Sequence, residues 1–240
     1  MVSKAFIPYE DQGYKLEGFL AHPEGVRPAV IFCHAWQGRS DLACKDAERL
    51  ANFGFVGFAL DMYGKGILGK SKQENAQLKK PFLEDRHLLQ RRVIKAYEVV
   101  SELPMVDKHR IAVVGFGFGA LCALDLARAG VDLEGAVSVY GHFNAPPAAL
   151  IKPIRAKLLI LHGYSDPVSP IRELRLFEEE LEKEKVDWQV HLFGGAMHAF
   201  ATPGSNDKES GIIYNPVAAA RTWHLIHQFL NEIFSPQQFL

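Results

Sequence analysis

Four apolar runs constrain this chain more than any other feature. They are 28-PAVIFCHA-35, 55-FVGFALD-61, 110-RIAVVG-115 and 156-AKLLILHG-163. Each has strand length, each is continuously hydrophobic rather than alternating, and helical patterns separate them. A strand that is apolar on both sides must be covered on both sides. The expected fold is therefore α/β, a mostly parallel central sheet with helices on both faces. Further strands are expected at 134-EGAVSVYG-141 and 188-WQVHLFGG-195, and a hairpin at 3–9 and 15–21 around Asp11-Gln12-Gly13. Helices are expected at about 40–53 with Ser40 as N-cap, 81–103 with Pro81 at its start and Pro104 just after its end, 118–129, 170–185 and 216–234. Residues 62–80, polar and rich in Gly and Lys, read as a long loop bordering a site.

At 240 residues, 48% hydrophobic, the chain suits one domain, 1–240, with a large core. A formal net charge of −1 offers no global field for nucleic acid or acidic membranes. The pairs Lys79-Lys80 and Arg91-Arg92 read as solvated helix faces. No run reaches 18 apolar residues and no apolar leader is present, so a cytoplasmic protein without a membrane partner is expected. Cys33, Cys44 and Cys122 are an odd number without metal-type spacing and read as reduced thiols, Cys33 and Cys122 as buried ones. The ten histidines form no metal motif, so no metal or cofactor is expected.

Sites in such sheets form at the carboxyl ends of strands. That rule selects the tips after His34, Gly115, Gly163 and Gly195. The tip after Gly115 opens 115-GFGFGA-120, which has two readings. Gly115, Gly117 and Ala120 match G-x-G-x-x-A, the turn of a dinucleotide-binding oxidoreductase. That reading needs an acid at the end of the next strand, where Val139-Tyr140-Gly141 supplies none. The other reading is a nucleophile elbow, G-x-S-x-G or G-x-C-x-G, with Gly117 at the reactive position. An elbow requires an acid and then a histidine at later tips. Asp166 follows one strand in 162-HGYSDP-167, and His198 follows the next in 194-GGAMHAF-200. In that scheme Asp166 orients the imidazole and His198 moves the proton. Backbone N–H groups of Trp36 and Phe118 are the expected oxyanion-hole donors. His34 is expected to hold loop backbone.

With these segments in place, the chain resembles the dienelactone hydrolase family of α/β-hydrolases. The resemblance rests on 30-VIFCHAWQGRSD-41, 59-ALDMYGKG-66, 112-AVVGFGFGALCALDLARAG-130, 159-LILHGYSDPVSP-170 and 192-LFGGAMHAF-200, and spans nearly the whole chain. It implies an α/β-hydrolase fold and cofactor-free hydrolysis of small esters or lactones by a Cys (or Ser)–His–Asp triad. Three positions depart from the family's pattern. Gly117 stands at the elbow cysteine, Ala35 at a glutamate that contacts the resting thiol, and Thr202 at an arginine that holds a substrate carboxylate. With His34, Ala35, Tyr63 and Thr202 as pocket residues, the expected protein binds or acts on a small ester or lactone, weakly or not at all. The alternatives are a catalytically silent binder and, from a different class, the dinucleotide-binding oxidoreductase.

Overall fold

The computed structural model describes residues 1–235. Eight strands form one sheet: β1 (Ser3–Asp11), β2 (Tyr14–His22), β3 (Arg27–Cys33), β4 (Val56–Ala59), β5 (Val106–Phe116), β6 (Gly135–Val139), β7 (Lys157–Gly163) and β8 (Trp188–Phe193). They lie in the order β1-β2-β4-β3-β5-β6-β7-β8. The β1–β2 hairpin and the β2–β4 pair are antiparallel, and every pairing from β4 onward is parallel. From β3 the chain steps to β4 on one side and then to β5 on the other. The strand order reverses there, which opens a crevice above the carboxyl ends of β3 and β5.

The apolar runs bury both sheet faces, as their continuity requires. Along β3, Ala29, Ile31 and Cys33 join one core, while Val30 and Phe32 join the other. The first core is covered by α2 (Lys72–Glu84), α3 (Arg86–Ser101), α4 (Phe118–Arg128) and α5 (Ile171–Glu184). The second is covered by α1 (Asp41–Asn52) and α6 (Pro216–Phe234). At the start of α6, Asn215 Oδ1 accepts from the amides of Val217 and Ala218, and Pro216 takes the first helical position. Ser40 occupies the N-cap position of α1, but its side chain makes no capping bond. A short pair, β9 (Asn206–Asp207) and β10 (Ile212–Ile213), stands apart from the main sheet. Among the described residues, no helix is long and apolar enough to cross a membrane.

Three expectations are corrected. The segment 62–80 is not all loop, because α2 begins at Lys72, with Ser71 Oγ accepting from the Glu74 amide. Pro81 lies inside α2 rather than at the start of the next helix, and α3 starts at Arg86, capped by Asp85 Oδ1 on the Leu88 amide. Arg92 is not solvated. It is 4% exposed, and its guanidinium pairs with Asp11 and donates to the Met62 carbonyl, tying α3 to the hairpin and to the loop after β4.

Candidate active site

The three glycines of the turn after β5 do different work. A Cβ at Gly115 would lie 2.0 Å from the Gly119 carbonyl oxygen, and one at Gly119 would lie 2.0 Å from the Cys33 carbonyl oxygen. Both are excluded by backbone, because α4 crosses tightly over β5 and β3. Gly117 is different. A Cβ there would meet Tyr140 Cε2 at 3.3 Å and His198 Nε2 at 3.8 Å, with no backbone in the way. Position 117 can therefore hold a side chain, and that side chain would face the imidazole. The backbone there is bent, with φ 57° and ψ −111°, and the Gly117 amide donates to the Val139 carbonyl at 3.0 Å. A non-glycine residue in such a conformation costs roughly 1–3 kcal/mol, which glycine avoids.

The acid and the histidine meet. His198 Nδ1 lies 2.8 Å from Asp166 Oδ2. Asp166 Oδ1 accepts from the amides of Val168 and Ser169 at 2.8 and 2.9 Å. Burial pushes the Asp166 carboxyl upward, but these bonds outweigh it and hold the pKa below the usual carboxylate range. An ionised Asp166 fixes the proton on Nδ1 and leaves Nε2 free as a base facing Gly117. The histidine loop is anchored through its backbone. The His198 amide donates to the Gly211 carbonyl, and the His198 carbonyl accepts from Ile213 on β10. Ala199, the next residue, is held at φ 55°.

Backbone N–H donors flank the same spot. The Ala35 carbonyl accepts from the Gly38 amide at 3.2 Å and from His34 Nδ1 at 2.7 Å. Because the peptide is trans, this sends the Trp36 N–H the opposite way. Phe118 opens α4, so its N–H is one of the unpaired donors of a helix N-terminus. Neither amide has a hydrogen-bond partner among the described residues. His34, 1% exposed, also accepts from the Met62 amide through Nε2, which ties the loop after β3 to the loop after β4. Tyr63 donates its hydroxyl to the Trp36 carbonyl and stacks on Phe118.

A cavity of about 560 Å³ opens over these groups. Gly117, Ala35, Thr202, Trp36, Phe118 and His198 line it. His34 and Tyr63 do not reach its wall. They sit behind it and hold the loop that does, which corrects their expected place in the pocket. Cys33 and Cys122 are fully buried, and burial pushes both thiols up, so neither is available as a nucleophile.

Several lining residues escaped the sequence reading. Tyr140 and His142 come from the tip of β6, a tip that the strand-end rule applies to equally. Tyr140, at φ 39°, packs its ring edge-on to His198 and bonds its hydroxyl to Thr202 Oγ1 at 2.7 Å. His142 lies 5.9 Å from His198 between ring centroids, and burial, with the neighbouring His198 and Lys79, lowers its pKa to about 4. It is neutral at pH 7. Lys79 reaches the wall from α2 with its ammonium over the Trp36 ring, and burial lowers its pKa.

The sheet order, the bent turn after β5 and the Asp166–His198 pair beyond the tips of β7 and β8 define an α/β-hydrolase fold. The model of the dienelactone hydrolase family matches residues 16–234, and the chain belongs to that family. A putative carboxymethylenebutenolidase of Saccharolobus solfataricus is 29% identical, over 95% of this chain and 98% of the relative. One from Aquifex aeolicus is 26% identical, over 93% and 96%. Among solved structures, a dienelactone hydrolase-like promiscuous phosphotriesterase from metagenomic libraries superposes with a TM-score of 0.92 at 28% identity, covering 98% of this chain and 99% of that one. A putative dienelactone hydrolase from Klebsiella pneumoniae shares the fold, with a TM-score of 0.81 at 18% identity over 97% and 99%.

Proposed function

We propose that this chain binds small esters or lactones at the elbow cavity and hydrolyses them slowly, with water in place of the covalent nucleophile. The observation that carries this reading is the vacant side-chain position at Gly117, which lies under the free Nε2 of His198. A substrate carbonyl oxygen seated between the Trp36 and Phe118 amides leaves its carbon facing that position. His198 takes a proton from water there, the water oxygen attacks the carbonyl carbon, and the oxyanion is held by the two amides. Collapse of the tetrahedral intermediate expels the alkoxide, which takes the proton from His198. Asp166 stabilises the imidazolium that exists between these steps. Loss of the nucleophile in a comparable triad costs about 10⁶ in kcat, while oxyanion hole and binding retain about 10³–10⁴ over water. Turnover on that residual scale is expected here. A cytoplasmic setting, supported by the unpaired state of Cys33, Cys44 and Cys122, goes with this reading.

The test is hydrolysis of activated esters and lactones by the wild-type chain beside His198→Ala. Slow turnover that His198→Ala abolishes is the expected result. Substrate binding with equal turnover in both proteins makes the site a binder without chemistry and overturns the water mechanism.

A further inference from the structure

Asp46 projects from α1 into the wall of the elbow cavity. It is 8% exposed, and no hydrogen bond or ion pair reaches its carboxyl among the described residues. Burial without a partner raises its pKa to about 7, offset only in part by Arg49 one helical turn on. Arg49 is turned away, its guanidinium 4.5 Å over the Trp223 ring. The two lysines that line the cavity are also engaged elsewhere. Lys72 pairs with Asp207, and Lys79 lies over Trp36. A carboxyl left alone against a cavity is a costly feature of the ligand-free protein. A cationic ligand removes that cost.

The surroundings of Asp46 suit a cation rather than an acceptor. Tyr140 and Thr202 line the same cavity as Asp46, and their hydroxyls are paired with each other, which adds lone pairs beside the carboxyl's own. Phe32 and Phe116 line the same cavity and bring no positive charge to it. Trp36 and Phe118 line the same cavity, and their amides are donors for a carbonyl oxygen. We propose that Asp46 is a specificity-determining residue that selects esters or lactones carrying a protonated amine, with the ammonium at Asp46 and the carbonyl at the elbow. This deepens the ester-site reading above and rests on it. It also gives Thr202 a role: a short hydroxyl leaves room for the ammonium and adds no competing positive charge.

The probes are two isosteric pairs, ethyl 3-aminopropanoate against ethyl butanoate and ethyl 6-aminohexanoate against ethyl heptanoate. Affinities are read by NMR titration of the wild-type protein, with the His198 ring signals reporting occupancy of the site. At least one amino ester is expected to bind about tenfold or more tightly than its alkyl partner, the scale of one charged hydrogen bond. Asp46→Asn is expected to erase that preference while leaving the alkyl ester's affinity within about twofold. Equal affinities for both members of each pair in the wild-type protein overturn the role of Asp46 and leave the ester-site reading standing. A preference that survives Asp46→Asn also overturns it. If no ester of either kind shifts the His198 signals, the ester-site reading fails and this inference with it.

Discussion

At the elbow, geometry is set by backbone: Gly115 and Gly119 let α4 settle on β5 and β3, and the proposed oxyanion donors are main-chain amides. At the acid–base arm, geometry is set by side chains: one carboxylate spans the Val168 and Ser169 amides on one oxygen and the imidazole on the other. The elbow has no nucleophile side chain and still has its shape. The acid–base arm has no comparable reserve, because Asp166 is both its chemistry and its scaffold. On the proposed reading, a backbone-built half-site outlasts the loss of its reactive atom, and what remains is a binding pocket with a base aimed at an open position.

The largest expected effect breaks the elbow. Gly119→Ala places a Cβ 2.0 Å from the Cys33 carbonyl, so α4 must lift from the sheet. A loss above about 4 kcal/mol, or no folded protein, is expected by thermal melting. Gly117→Ala meets only Tyr140 and His198 atoms at 3.3 Å or more and is expected to cost about 1–3 kcal/mol from backbone strain alone. Equal costs for the two alanines contradict the distinction drawn between these glycines.

Asp166→Asn sharpens the other arm. With the amide oxygen kept on the Val168 and Ser169 N–H groups, the amide nitrogen turns to His198 Nδ1 and forces the proton to Nε2. In the Gly117→Cys background kcat is expected to fall by about 10³–10⁴, with the melting temperature at pH 7 lowered far less than that factor implies. The same carboxyl sets a sign for stability. Its folded pKa lies below its unfolded value, so its stabilisation is full above the unfolded value and is lost as pH falls through the folded one. Wild type is expected to lose its stability advantage over Asp166→Asn in melts below pH 4.

Asp46 runs the opposite way. Its folded pKa, about 7, exceeds the 3.8 of the unfolded chain, so stability is full below pH 4 and declines as pH rises to 7. Asp46→Asn mimics the protonated form. It is expected to raise stability at pH 8 by about 2–4 kcal/mol, with little gain at pH 4, measured by denaturant titration at each pH. A gain independent of pH means that Asp46 is not desolvated. The smallest effect lies outside both arms: Ser71→Ala removes the α2 cap and is expected to cost about 1 kcal/mol.

The fold was legible because doubly buried strands leave continuous apolar runs, as Val30 and Ile31 do on opposite cores of β3. The Asp166–His198 pair was legible from its place on successive strand tips. What escaped had physical reasons. The helix α2 hid in a polar stretch, although 71-SKQE-74 carries a capping-box pattern. Pro81 has the look of a helix start but sits late in α2, where its missing N–H removes only one bond. Arg92 read as a surface charge because helical periodicity cannot tell a paired charge from a solvated one, and Asp46 carries no motif that sets it apart from other helical acids. Tyr140 and His142 follow a strand whose tip carries no motif.

The most direct measurement of the central claim is ester hydrolysis by Gly117→Cys, with intact mass recorded during turnover. An intact elbow, lacking only its reactive atom, predicts at least a hundredfold gain over wild type, a fraction of the factor of about 10⁶ that a nucleophile contributes. It also predicts one acyl group on the introduced thiol, and loss of both signals when His198→Ala is added. A folded Gly117→Cys protein that binds ester but neither acylates nor exceeds wild-type turnover would contradict the account.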